Sequence, residues 1–189
     1  MKKIFKYRNG EIKVIWNEIP MYKDYEETYF REIIEQKTNL MLAPFSVGVE
    51  LKKNNGGRII YGLLMAHIEP RKEKNTIKIS IAYTKKNTIR YEDSFLWNDA
   101  LVFKGLHEEY VANVYSSICK TINRKKYYPQ CDICFGYAAN CEVGSSPMIF
   151  GIIAEIIMEI IYANSVKEIF SMSIEDFTQK YVRNINLCY

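Results

Sequence analysis

The stretch "MIFGIIAEIIMEIIYA", residues 148–163, restricts the fold more than any other part of the chain. Ile149, Phe150, Ile152, Ile153, Ile156, Ile157, Ile160 and Ile161 recur at helical spacing and cover most of a helix surface. Glu155 and Glu159 leave a narrow wet face. The run is too short and too interrupted for a membrane span, so it predicts a helix at the centre of a core. Ser145 or Ser146 can cap it, and Pro147 suits its first turn.

A helix that is apolar nearly all round must be covered, and the chain offers mainly strands to cover it. "IFKYRNGEIKVIW" reads as a hairpin, with Asn9-Gly10 as the turn signal between alternating flanks. "FSVGVELKK" (45–53) and "RIIYGLLMAHIEP" (58–70) read as two strands joined by the loop "NNGG". "NTIKISIAYTKKNTIRY" (75–91) continues the pattern, with Ile77, Ile79 and Ile81 on one face. Residues 22–36 fit a helix by charge spacing and a strand by their aromatics. Residues 99–125 predict a helix, with Val111, Val114, Ile118 and Ile122 on its apolar stripe. "CDICFGY" (131–137) predicts a strand, followed by a loop over 137–145. A strand-rich first half followed by helix, strand and helix predicts an α+β fold: one sheet with helices packed on one face.

The chain has 189 residues, enough for one domain with one substantial core. Net charge is +4, which permits a polyanionic partner without requiring one. The opening residues carry two lysines and no apolar secretory core, so a cytoplasmic location is expected. Five cysteines without an export signal predict thiols rather than disulfides. Cys131-x-x-Cys134 has metal-ligand spacing, but positions three apart on a strand point to opposite faces. The second pair that a zinc site needs is not evident, so no metal is expected. No phosphate-cradling motif and no nucleophile–base constellation is present, so neither a nucleotide, another cofactor nor catalysis is expected. Basic residues interleave with aromatics or turn residues in "KKNNGGR" (52–58) and "NRKKYYP" (123–129). Such residues neutralise phosphates and stack on bases, although solvated turns are the plainer reading of both.

Several segments in order resemble domain IV of elongation factor G and of the tetracycline-resistance ribosomal protection proteins. "YEETYFREII" (25–34) resembles that domain's opening segment, and "NNGGRIIYGLLMAHIEP" its Gly-Gly-Arg loop and following strand. "YVANVYSSICKTI" is similar to its first helix, and "YPQCDICFGYAANCEVGSSPMIF" to the strand, loop and start of its second helix. The resemblance covers roughly 25–163. It implies a left-handed β-α-β crossover. Residues 1–24 read as an amino-terminal hairpin extension without a counterpart in the family, and 164–189 as an extension of the same globule, similar to the opening strand and helix of the family's next domain or else a helix that caps the sheet's open end. The resemblance implies that two loops lie together at a tip that enters the decoding centre of the small ribosomal subunit. Asn54, Asn55, Gly56, Gly57 and Arg58 would form one loop; Ala139, Asn140, Cys141, Glu142 and Ser145 would belong to the other.

Two departures are visible. Ile59-Ile60 stand where the factor has small or polar residues, and Cys141 stands where it has a histidine. The expected function is a non-catalytic, translation-factor-like domain that binds the small ribosomal subunit or structured RNA. The alternatives are a protein-interaction module or a remnant of a ribosomal protection factor.

Overall fold

Apolar alternation produces one mixed sheet of eight strands. The structure is a computed structural model that describes residues 1–7, 10–18, 28–36, 38, 40–86, 89–94, 96 and 101–166. The strands are β1 (Lys2–Tyr7), β2 (Gly10–Trp16), β3 (Thr28–Glu35), β4 (Phe45–Asn55), β5 (Arg58–Pro70), β6 (Thr76–Tyr83), β7 (Val102–Lys104) and β8 (Cys131–Cys141). Two helices, α1 (Val111–Arg124) and α2 (Pro147–Ser165), pack against the sheet. The strand order is β1-β2-β4-β5-β8-β6-β3, with β7 beside the far half of β8. Neighbours are antiparallel except β6 and β8, which run parallel and are joined through α1.

The α+β class expected from the sequence is the class observed. The hairpin of β1 and β2 continues the sheet through β4, and its turn at 8–9 lies outside the described residues. The ambiguous segment 22–36 contributes β3, while 22–27 lie outside the described residues. The carboxy-terminal segment expected over 164–189 is described only to Val166, and α2 itself runs to Ser165.

Three expectations are corrected. The helix expected over 99–125 begins only at Val111, because residues 102–104 pair with β8 and Gly105 turns the chain at φ 108°. The strand expected over 75–91 ends at Tyr83, and only isolated bridges follow, at Thr84 and Arg90. The loop expected over 137–145 is mostly strand, since β8 extends to Cys141.

The third correction has a geometric cause. Between β5 and β8 the register slips by one residue: Met65 faces Tyr137, but His67 faces Cys134. One extra residue in β8 reverses which side chains point inward. Before the bulge Cys131, Ile133 and Phe135 join the helix-side core. Beyond it Tyr137, Ala139 and Cys141 join a second apolar cluster with Tyr61, Leu63, Met65, Tyr91, Leu96 and Val102.

α2 is long and apolar enough to cross a membrane by composition, yet 67 % of that apolar window is buried inside the fold. Ser146 caps it, its hydroxyl accepting from Ile149 N–H at 3.4 Å. Gly62 of β5 brings the helix close: a Cβ there would lie 2.9 Å from Ile153 Cδ1. Phe150 stacks on Tyr110 at 4.9 Å. Of the narrow wet face expected, Glu155 stays partly exposed and Glu159 does not. Glu155 pairs with Lys120 at 3.2 Å, and the nearly buried Glu159 pairs with Lys125 at 2.7 Å, tying α2 to α1.

Ile153 and Ile157 are fully buried between α2 and its neighbours. Replacing either with Ala should lower stability by roughly 2–5 kcal/mol, as transfer loss plus cavity. Urea denaturation checks this; a midpoint equal to that of the parent would contradict the assigned core.

Candidate functional site

Two segments far apart in sequence meet at one end of the sheet. The first is the turn from β4 to β5. Gly56 and Gly57 have φ of 56° and 86°, and Asn55 pairs with Arg58 across them. Positive φ at both central positions matches the twist of a tight hairpin, and glycine adopts it without strain. Asn54, Gly56, Gly57 and Arg58 are exposed. Among the described residues Arg58 makes no ion pair. The second segment, 142–146, links β8 to α2.

Ser145 latches the two together. Its hydroxyl donates to the Tyr61 carbonyl at 2.8 Å and accepts from Cys141 N–H at 2.8 Å. Tyr61 N–H donates to the Gly144 carbonyl at 3.1 Å. Gly144 fits because it lacks a side chain: a Cβ would stand 2.3 Å from the Ile59 carbonyl oxygen. An open groove of about 820 Å³ results, bordered by Arg58, Ile59, Leu101, Glu142, Val143 and Ser146. Its rim carries one cation, one anion and several apolar side chains. Val143 is 84 % exposed, and Ile59 and Leu101 are also exposed.

The structure therefore brings most of the expected loop residues together, but not all of them are available. Ala139 and Asn140 are buried in β8. Asn140 spends its side-chain amide on the Gly105 carbonyl at 2.8 Å, so both are removed from the candidate surface. Cys141 is buried, and Ser145 is a latch whose hydroxyl is engaged within the fold. Glu142 is exposed. Of Asn55, the described contribution is its strand pairing. Ile59, Leu101 and Val143 went unrecognised as rim residues. The signal for Val143 was an apolar residue set among Glu, Gly and Ser before a helix.

In the second basic stretch, 123–129, Lys125 and Tyr128 are engaged within the fold, while Arg124, Lys126 and Tyr127 are exposed. Tyr128 is buried and donates to the Met158 carbonyl at 2.7 Å. Lys125 lies over the Tyr162 ring at 4.4 Å, in addition to its pair with Glu159. The two cysteines at 131 and 134 fall on opposite faces, and burial pushes the Cys131 thiol up to about 12. Among the described residues no group of three or more His, Cys, Asp or Glu is arranged to hold a metal ion.

A polar centre not anticipated from the sequence lies within the sheet. Glu50 is fully buried and accepts from Lys13 Nζ at 2.8 Å and from Tyr61 hydroxyl at 2.8 Å. Burial, and then the Glu50 charge, hold the Tyr61 phenol far above its usual range, so it stays protonated and donates. Glu50 and Tyr61 are fully buried and Lys13 reaches them from a half-buried position, and the centre fixes the strand that carries the Gly144 and Ser145 contacts.

No family model, no curated protein and no solved structure matches the chain.

Ser145→Ala should remove two hydrogen bonds at once and lower stability by roughly 1–3 kcal/mol. Arg58→Ala should leave stability within about 0.5 kcal/mol of the parent. Denaturation of both variants checks the contrast; equal midpoints for the two would show that Ser145 is not a latch.

Proposed function

We propose that this chain is a non-catalytic, translation-factor-like module that binds ribosomal or other structured RNA through the tip formed by residues 54–58 and 142–146. The observation that carries the reading is the Ser145 latch. It holds a glycine turn, bearing an exposed arginine that makes no ion pair among the described residues, against a second loop more than 80 positions later in the chain. That is the loop pairing implied by the resemblance to domain IV of elongation factor G and the ribosomal protection proteins. Glycines admit a close approach of backbone to phosphate, and the guanidinium forks onto its oxygens. The loops are already fixed in place, so little ordering entropy is lost on binding.

A second reading draws on the rim itself. Ile59, Leu101 and Val143 are exposed along one groove, and apolar residues grouped in this way also suit a protein partner. The two readings separate by salt. Phosphate contacts weaken steeply with ionic strength, whereas apolar docking does not.

Arg58→Ala should weaken binding to small-subunit RNA by roughly 1.5–3 kcal/mol. The salt dependence of log K should flatten by about 0.7–0.9, the loss of one phosphate contact. Arg58→Lys should recover part of the affinity, because lysine keeps the charge and loses the fork. Filter binding across a salt series is the measurement. Equal binding by parent and Arg58→Ala at every salt concentration would reduce the turn to a structural one. Salt-insensitive capture of a protein by the parent, without RNA, would favour the second reading.

A further inference from the structure

The strand order leaves β1 and β3 outermost, with no strand beyond either among the described residues. The two edges differ in charge. β1 carries Lys2, Lys3 and Lys6 and no acid. Two copies of it paired about Ile4 would set Lys2 against Lys6, and lysines placed in this way guard an edge. β3 carries both signs, as Arg31, Glu32 and Glu35. Past β3 the chain turns away from the outer edge. Gln36 N–H donates to the Asn75 carbonyl at 2.8 Å, Thr38 N–H to Asn75 Oδ1 at 3.3 Å, and Gln130 N–H to the Leu40 carbonyl at 3.4 Å. These bonds carry residues 36–40 inward across the end of β6 towards β8.

Phe30 and Ile34 pack on the helix-side core, and Phe30 meets Tyr115 of α1 edge-on at 4.9 Å. Tyr29, Arg31, Ile33 and Glu35 therefore lie on the helix-free face. Ile33 is 55 % exposed, an apolar side chain in the outermost row of the sheet. Arg31 and Glu35 stand two residues to either side of it. Both are exposed, and neither makes an ion pair among the described residues. Arg31 rests over the Tyr29 ring at 5.2 Å. Lys78 of β6 lies beside Ile33 one strand inward, and Glu32 is on the helix side.

A two-fold axis through the sheet would pair β3 antiparallel with β3 of a second copy and keep the helices of both copies on one side. Only registers centred on a residue keep the two faces in phase, because a slip of one position exchanges them. Centred on Arg31, the register sets guanidinium against guanidinium. Centred on Glu32, it sets carboxylate against carboxylate. Centred on Ile33, it sets Ile33 against Ile33 and each Arg31 directly across from Glu35 of the other copy. Glu32 then faces Ile34 on the helix side. Within β3 no other in-phase register places opposite charges directly across from one another.

We propose that β3 is a dimerisation edge, at which two copies of this chain join their sheets antiparallel about Ile33, with Arg31 of each copy paired to Glu35 of the other. The plainer role of charges on an outer strand is to discourage pairing. Charges of one sign do that, as on β1. Opposite charges placed symmetrically about an exposed isoleucine complement themselves instead. The ladder takes in residues 31–35 of each strand, which is less than a standard interface, so the dimer dissociates on dilution.

The test is sedimentation equilibrium of the full chain over a concentration series at low salt. The parent should pass from monomer to dimer and no further. Arg31→Glu and Glu35→Arg each turn both cross-strand pairs repulsive, and each should weaken dimerisation on the order of tenfold. The double variant Arg31→Glu/Glu35→Arg restores opposite charges and should return the dimer. Ile33→Lys should be monomeric throughout. These side chains are exposed, and thermal melts check that each variant is folded. Arg58→Ala, three strands away, should dimerise as the parent does, which separates this test from the RNA reading. A parent that is monomeric at every concentration overturns the proposal. So does a dimer that survives both single charge reversals, or one that the double reversal fails to restore. Growth beyond the dimer overturns it as well, because β3 would then be meeting a different edge.

Discussion

β8 supplies two apolar cores in succession, and the arrangement at the tip depends on how it does so. Its first half faces α1 and α2; its second half faces the cluster around Tyr61, Met65 and Val102. An uninterrupted strand keeps its odd residues on one side throughout, so the change of side requires the inserted residue between Cys134 and Tyr137. The insertion aligns Ala139 with Leu63 and delivers Cys141 opposite the start of β5. Residues 142–146 then have nowhere to run except across the β4–β5 turn and into α2. The position of the candidate surface is thus a consequence of core packing several residues away.

The same end is stiffened from below. Glu50, Lys13 and Tyr61 form a buried polar centre on three neighbouring strands. A buried pair of this kind contributes little net stability, because desolvation offsets the attraction. Its effect is to define which residues of β4 and β5 may face each other: a slip of one position would leave the Glu50 carboxylate buried without partners. Register held there is register held at the turn, and Tyr61 also provides the carbonyl and N–H that receive Ser145 and Gly144. The exposed Arg58 thus stands on a support whose register is fixed.

Much of the architecture was legible in the chain. Alternation marked β2 and β6, an apolar run after the Asn-Asn-Gly-Gly turn marked β5, and the isoleucine spacing with Ser146-Pro147 marked α2 and its start. What was not legible came from long-range pairing. Nothing local distinguishes "VFK" at the head of a helical stretch from its first turn; only β8 makes it a strand. The bulge hid the second half of β8 by reversing its alternation, which made Ala139 and Asn140 read as loop residues. For the candidate site, Arg58 and its glycines were recognisable because a turn has a local signature. The roles of Ser145 and Val143 depend on a neighbour 80 or more positions earlier, and no local pattern carries that.

The central claim is that the Arg58–Val143 end of the molecule, and not the opposite end, meets RNA. β5 alone spans 13 residues between the two ends, or roughly 40 Å, so a short-range probe separates them cleanly. The direct measurement places a photo-crosslinking amino acid at Val143 in one protein and at Lys74, on the far β5–β6 turn, in another. Each is irradiated with small ribosomal subunits. The account predicts RNA adducts from position 143 and none above background from position 74. Adducts of equal yield from both positions, or adducts at 143 that contain only protein, would contradict it.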